Sequence, residues 1–264
     1  MKILLLSRWF FPAKNPRAFR TTELVRALTR RGHEIDFFCP DDASFDDKFV
    51  TDKLNIYHIS VSHALKQKTI SLQLNEEPDG RSSCMKYIKK LARYLLGAGL
   101  GDVVYAVRMY QALAKKTYSQ KYDVLLVISY PFYLLVAAVW YISHNKYIPC
   151  KIADCGDPLY YNHGIDKAFY LKYVEKIVLR KFDWITIPMQ EARLGYCHCD
   201  IEERLRVIPQ GFRIFTPRQE MYCPNEVSVF CYAGVFYEKI RDPSFFFDFL
   251  CKEKKPFRFV VYAL

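Results

Sequence analysis

No Gly-x-Gly-x-x-Gly turn follows the first apolar run of this chain, and no Walker-type phosphate loop occurs along its 264 residues. The first absence removes the turn that lets a backbone approach a dinucleotide pyrophosphate, and the second removes the phosphate cradle of a P-loop ATPase. Dehydrogenase and P-loop readings fall with them. Internal repeats, low-complexity runs and Pro/Gly/Ser-rich tracts are also missing, which excludes solenoid and disordered organisations. No recognition helix, zinc knuckle or aromatic RNA-binding signature accompanies the basic residues, so nucleic acid is not an expected partner.

Apolar residues make up 51% of the chain and charged residues 25%, enough to bury a sizeable core in one large domain or two modest ones. The formal charge of +11 implies a positive surface attractive to phosphates and anionic lipid. Its sources lie on helix-like segments: Arg26, Arg30 and Arg31; Lys86, Lys89, Lys90 and Arg93; Lys115 and Lys116; Arg180 and Lys181. An anionic membrane surface is the expected partner of that charge. Of the nine cysteines, Cys39, Cys150, Cys155 and Cys231 lie in or beside apolar runs, where a thiol acts as a small hydrophobe. Cys197-His198-Cys199 is the only tight cluster. Its spacing is not that of a zinc ribbon, so it reads as surface loop and no metal is expected. An odd cysteine count and the lack of a recognisable secretory leader point to a reducing cytoplasm. Val124 to Ser143 is nearly uncharged and about long enough to cross a bilayer. Ser129, Tyr130 and Pro131 interrupt it, so a buried strand, a turn and a helix is the better reading.

Strand-length apolar runs alternate with helix-period segments through most of the chain, which predicts an α/β fold: a Rossmann-like parallel sheet with helices on both faces. Strands are expected at Lys2–Ser7, Glu34–Cys39, Asn55–Ser60, Asp123–Ser129, Cys150–Cys155, Asp183–Ile187 and Leu205–Ile208. Helices are expected at Arg17–Arg31, closed by Gly32, at Cys84–Leu96, Asp102–Tyr118 and Asp166–Lys181, with a further helix from near Pro131 and a short one from Gln190. Ser62 to Ser82 reads as a long polar loop. Pro209-Gln210-Gly211-Phe212 turns the chain out of the first domain, assigned to residues 1–212. A linker at 213–226 leads to an incomplete second Rossmann-like domain at 227–264, with a strand at Val227–Ala233, a helix at Pro243–Cys251 and a strand at Phe257–Tyr262. A piece this small buries little core of its own, and an apolar strand at its end leaves an unpaired edge, so a sequence that continues further is expected, with packing of this last strand-helix-strand piece onto the first domain as the alternative.

Several stretches together resemble family 4 glycosyltransferases of the two-domain GT-B architecture. Lys2 to Ser7, then Phe10-Phe11-Pro12, Arg17-Ala18-Phe19-Arg20, Leu24 to Leu28 and Arg31-Gly32-His33-Glu34-Ile35, is similar to the family's opening strand, acceptor loop, helix and second-strand entry. Asp154-Cys155-Gly156-Asp157-Pro158 resembles its Asp-x-x-Asp-Pro turn, Val207-Ile208-Pro209-Gln210-Gly211-Phe212 the close of its first domain, and Tyr232-Ala233-Gly234 the first strand of its donor domain. The resemblance implies a hexosyltransferase, retaining in stereochemistry, that moves a sugar from a nucleotide diphosphate-sugar to a polysaccharide or lipid-linked acceptor, with no other cofactor. It also implies a donor-binding role for Gly234, Lys239 and Arg241, with positive charge on the leaving diphosphate and the helix start at Asp242-Pro243 adding N–H groups. Solvated loop charge is the other reading of Lys239 and Arg241. Arg17 and Arg20 are the acceptor-side candidates, with helix-surface charge as the alternative. Asp157 is the catalytic candidate, as base or orienter of the acceptor hydroxyl, with capping of the turn at Pro158 as the alternative. Asp154 reads as structural, and a pairing of His163 with Asp157 stays open. The family's pair of Glu residues that holds donor sugar and ribose would lie beyond Leu264, which implies little transferase activity for these 264 residues alone. A non-catalytic glycan- or partner-binding protein derived from such an enzyme is the alternative function.

Overall fold

Lys2–Leu6 (β1) sends Leu4 and Leu6 into one apolar cluster and Ile3 and Leu5 into another, as the two-residue period of a strand requires. A strand buried on both faces belongs inside a doubly covered parallel sheet. The computed structural model describes residues 1–13, 15–41, 52–60, 83–145, 147–162, 167–211, 224–234, 236 and 242–262. It divides into two compact units, Met1–Phe212 and Arg213–Leu264.

In the first unit, helix α1 (Pro16–Arg30) follows β1. Asn15 starts it by accepting from the Ala18 N–H at 2.9 Å, proline stands in the first turn, and Gly32 at φ +81° closes it. Then come β2 (Glu34–Pro40), β3 (Leu54–Ile59), α2 (Ser83–Leu96), α3 (Leu100–Lys116), β4 (Val124–Ile128), α4 (Tyr133–Asn145), β5 (Cys150–Asp154), α5 (Leu171–Leu179), β6 (Trp184–Ile187) and β7 (Leu205–Val207). The expected Rossmann-like parallel sheet is present: seven strands in the order β3-β2-β1-β4-β5-β6-β7, every neighbouring pair parallel. Its larger core joins α3, α4 and α5 to one face through Tyr105, Met109, Leu113, Leu135, Tyr141 and Leu179; α1 covers the other through Val25 and Leu28. Each fully buried side chain among these contributes about 1.5–3 kcal/mol of transfer free energy, and the partly buried Leu28 less, so both faces are held by many small terms.

Several boundaries differ from the sequence reading. The segment around 166–181 is helical only over Leu171–Leu179, because turns at Ala168–Tyr170 and Leu179–Phe182 take its ends. The helix from Gln190 is a 3-10 turn, Gln190–Tyr196, and a second one, Glu202–Arg204, precedes β7. Val124 to Ser143 resolves into β4, a turn in which Tyr130 takes φ +105°, and α4. No described helix is long and apolar enough to cross a membrane. The polar stretch from Ser62 to Ser82 lies outside the described residues, as do His163 and much of the expected linker.

The described residues of the second unit form one strand-helix-strand element. Strand β8 (Ser228–Ala233) pairs in parallel with β9 (Phe257–Tyr262), and α6 (Ser244–Lys252) makes the crossover. Its small interior is aromatic: Phe230 meets Phe246 and Phe257 at ring separations of 5.8 and 5.9 Å, and Phe246 meets Phe259 at 5.5 Å. Pro243 caps α6 and Ser244 is its first helical residue, one position later than expected.

Candidate functional site

Reading the sheet from β3, sequence order runs backward to β1 and then forward from β4, so the connections leave a crevice at the carboxyl ends of β1 and β4. Ligands of open α/β sheets bind at such a switch point. The loops after β1, β4, β5 and β7 all open on this edge, and most of the expected first-domain residues lie there.

Arg20, on the first turns of α1, turns inward. Its Nε and Nη2 donate to the two carboxylate oxygens of Asp154 at 2.5 and 2.6 Å, and Nη2 also donates to the Ile208 carbonyl at 3.2 Å. Thr186 Oγ1 donates to Asp154 Oδ1 at 2.5 Å. Arg20 is 8% and Asp154 2% exposed. One forked pair thus ties α1, β5, β6 and the end of β7 together beneath the edge. Arg20, expected on the acceptor side, has its guanidinium occupied in this buried pair, and Asp154 is structural as read from sequence. Bidentate charge-assisted hydrogen bonds offset the desolvation of both ions, whereas a lone partner would be left uncompensated.

Arg17, one turn earlier on the same side of α1, reaches the turn that follows β5. Its Nη2 donates to Asp157 Oδ2 at 2.5 Å, with the Asp157 side chain 60% and that of Arg17 14% exposed. The guanidinium lies on Gly156, where an added Cβ would come within 2.0 Å of Nη1, and 6.0 Å from the Tyr130 ring centre. The glycine is there for the close approach. The guanidinium is mostly covered while the carboxylate stays open to solvent, so the pair presents Asp157 at the surface. The structure therefore brings the catalytic candidate Asp157 and the acceptor candidate Arg17 into one contact. On a different face of α1 from this pair, the loop after β1 and the helix form an open apolar hollow of about 380 Å³, lined in part by Phe11, Pro12, Phe19 and Arg26.

Behind Asp157 the chain is held by a residue that the sequence did not single out. Glu175 of α5 is buried and accepts from the Leu159 N–H at 2.6 Å and the Tyr160 N–H at 2.9 Å, while His198 Nε2 lies 3.1 Å from its Oε2. Cys199 Sγ approaches His198 Nε2 at 3.3 Å. This corrects the surface-loop reading of Cys197-His198-Cys199: Cys197 is exposed, but His198 and Cys199 are drawn inward by the carboxylate. Nothing local marks Glu175, since a charged residue in an amphipathic helix normally faces water. Glu175, His198 and Cys199 bring ligand atoms within 4.8 Å of one another. Both Glu175 oxygens are already engaged by backbone N–H groups, and His198 Nδ1 is buried without a partner where a metal-bound imidazole would donate. The cluster fits a loop anchor better than a metal centre. Burial pushes the Cys155 and Cys199 thiols well up, which makes them poor nucleophiles.

In the second unit, Gly234 follows β8 at φ +146°, a conformation that disfavours any side chain, and its N–H donates to the Tyr262 carbonyl at 2.9 Å. Lys239 and Arg241 lie outside the described residues. Asp242 Oδ1 accepts from both the N–H and the hydroxyl of Ser244, at 2.9 and 2.5 Å, and these bonds hold its carboxyl below the usual range. One of the N–H groups expected to meet a diphosphate is thus already taken by Asp242.

No protein-family model and no curated protein sequence matches the chain. Among solved structures it is similar to the lipopolysaccharide outer core galactosyltransferase WaaB in its apo form, with a TM-score of 0.53 and 11% identity over 99% of this chain and 60% of that one. It is also similar to Arabidopsis thaliana UGT89C1 complexed with UDP-L-rhamnose, with a TM-score of 0.53 and 13% identity over 98% of this chain and 64% of that one. A third likeness is to TarM, with a TM-score of 0.52 and 9% identity over 99% and 71%. The chain therefore spans under two thirds of the length of the first two. With its seven parallel strands, reversed order at β1 and β4, and this likeness, the chain has the Rossmann-like fold of GT-B glycosyltransferases.

Proposed function

We propose that this chain is the acceptor-side domain and the opening of the donor domain of a family 4 glycosyltransferase. In this reading the sugar of a nucleotide diphosphate-sugar passes to a glycan or lipid-linked acceptor at a membrane surface. The observation that carries the reading is the Arg17–Asp157 pair over Gly156 at the crevice edge, a covered guanidinium that holds a solvent-open carboxylate. In the transfer, the C1–O bond to the diphosphate breaks with its electron pair leaving on the nucleotide, the acceptor oxygen bonds C1, and the hydroxyl proton passes to the departing diphosphate oxygen. Asp157 accepts a hydrogen bond from the acceptor hydroxyl and orients it, while Arg17 holds the carboxylate in place. The structure of UGT89C1 complexed with UDP-L-rhamnose supports a nucleotide-sugar donor. Gly234, Lys239 and Arg241 are its proposed contacts in the donor domain, and Arg20 supports the acceptor side indirectly by fixing α1.

Helix α2 supports the membrane part of the reading. It contains no acidic residue, and Lys89, Lys90 and Arg93 are exposed beside Tyr87, Ile88, Leu91 and Leu95, which are also exposed. A helix that shows both basic and apolar side chains to solvent suits the interface of an anionic bilayer, each cation contributing about 1 kcal/mol near the surface. The complete reading frame, assayed with a panel of labelled nucleotide diphosphate-sugars and membrane lipid extract, is expected to transfer sugar from one donor. The 264-residue chain is expected to bind phosphatidylglycerol vesicles at low salt and release them at high salt. No transfer from any donor, with the folded protein capturing a glycan instead, would move the chain to the binding-protein reading.

A further inference from the structure

We propose that Arg8 binds a phosphate or diphosphate group at the switch point of the sheet. This deepens the function proposed above, on which only the assignment of that anion to acceptor or donor rests. Arg8 leaves the carboxyl end of β1, the strand paired with β4 where the sheet order reverses. It is 3% exposed, and its buried Nε has no hydrogen-bond partner. The guanidinium carbon sits 5.0 Å from the Trp9 ring centre and 5.0 Å from that of Tyr105, a residue of α3. Two rings return part of the cost of taking a guanidinium out of water, but they satisfy none of its donors.

The neighbouring arginines supply the contrast. Arg17 has Asp157 and Arg20 has Asp154, whereas no carboxylate pairs with Arg8 among the described residues. A buried, permanently charged fork with no counter-ion among the described residues, at the edge where α/β sheets bind ligands, calls for an anion from outside the chain. Forked donors fit the paired oxygens of a phosphate, and the flanking aromatic rings suit a group carried on an apolar or sugar body. The lipid-linked acceptor and the sugar donor both carry such a group, so the test separates them.

The melting temperature of the 264-residue chain is measured alone and with millimolar sodium pyrophosphate, farnesyl diphosphate or UDP, against sodium chloride of equal ionic strength. Pyrophosphate is expected to raise it by about 2–4 °C, farnesyl diphosphate more than UDP if the anion belongs to the acceptor and UDP more if it belongs to the donor. Arg8→Met is expected to melt at the wild-type temperature or above it without anion, having lost an uncompensated charge, and to show no pyrophosphate shift. Arg8→Lys, which keeps the charge and loses the fork, is expected to show less than half the wild-type shift. Amide resonances of wild type provide a readout that needs no variant: pyrophosphate should perturb Ser7, Arg8, Trp9 and Tyr105 first. The proposal is overturned by no anion-specific shift in wild type, by an equal shift in Arg8→Met, by a large loss of stability in that variant without anion, or by perturbations spread over the basic surface. Intact transfer without the shift would remove this assignment alone, and the shift without transfer would remove the function alone.

Discussion

Asp154→Asn is expected to lower unfolding free energy by about 3–5 kcal/mol, the cost of breaking a buried ion pair from one side. The carboxylate takes two hydrogen bonds from Arg20 and one from Thr186, and the asparagine amide would set a donor against these donors. Arg20 would stay buried with its charge unmatched. Arg20→Met and Asp154→Leu should each cost a similar amount, and the double variant Arg20→Met/Asp154→Leu much less than the sum of these two, because apolar groups of similar volume remove both ions together. Urea unfolding of wild type and the four variants measures this directly. Additive losses, or a loss under about 1 kcal/mol for Asp154→Asn alone, would show that the pair does not tie the edge together.

A loss of comparable size is expected from Glu175→Ala. That carboxylate accepts from two buried backbone N–H groups and faces His198, and each buried donor left without a partner costs about 1–3 kcal/mol. The cost falls on the Leu159–Tyr160 segment that follows Asp157 and Pro158, so hydrogen exchange at the Leu159 and Tyr160 amides should accelerate more than at β1. Glu175→Gln, which keeps one acceptor oxygen, should fall between wild type and alanine. Uniform acceleration across the sheet would make Glu175 an ordinary stability residue rather than the anchor of this loop.

The sheet was readable from sequence because apolar runs such as Lys2–Leu6 and Val124–Ile128 are too short for helices and are followed by helical periods. Strand order was not, since pairing of β1 with β4 depends on contacts far apart in sequence. Arg17 and Asp157 were found through their positions in loops after strands and through the Asp-x-x-Asp-Pro resemblance. Arg20 was grouped with Arg17 because helical neighbours three apart look alike on paper; pairing with Asp154 buries one, and pairing with Asp157 holds the other at the edge. Glu175 and His198 were missed for the opposite reason. Each is polar in a locally exposed pattern, and only their approach from separate elements satisfies both. Arg8 carried a readable sign, a cation beside Trp9 at the end of the first strand, but its lack of a partner is a three-dimensional property.

The most direct test of the crevice-edge pair is sugar transfer by the complete reading frame carrying Asp157→Asn or Arg17→Gln. Loss of an orienting group at the reacting hydroxyl predicts a fall in kcat of about 100-fold or more for Asp157→Asn. For Asp157→Asn the unfolding free energy should change by less than about 1 kcal/mol, because its carboxylate is exposed. Transfer at the wild-type rate by both folded variants would contradict the assignment and leave Arg17 and Asp157 as surface charge.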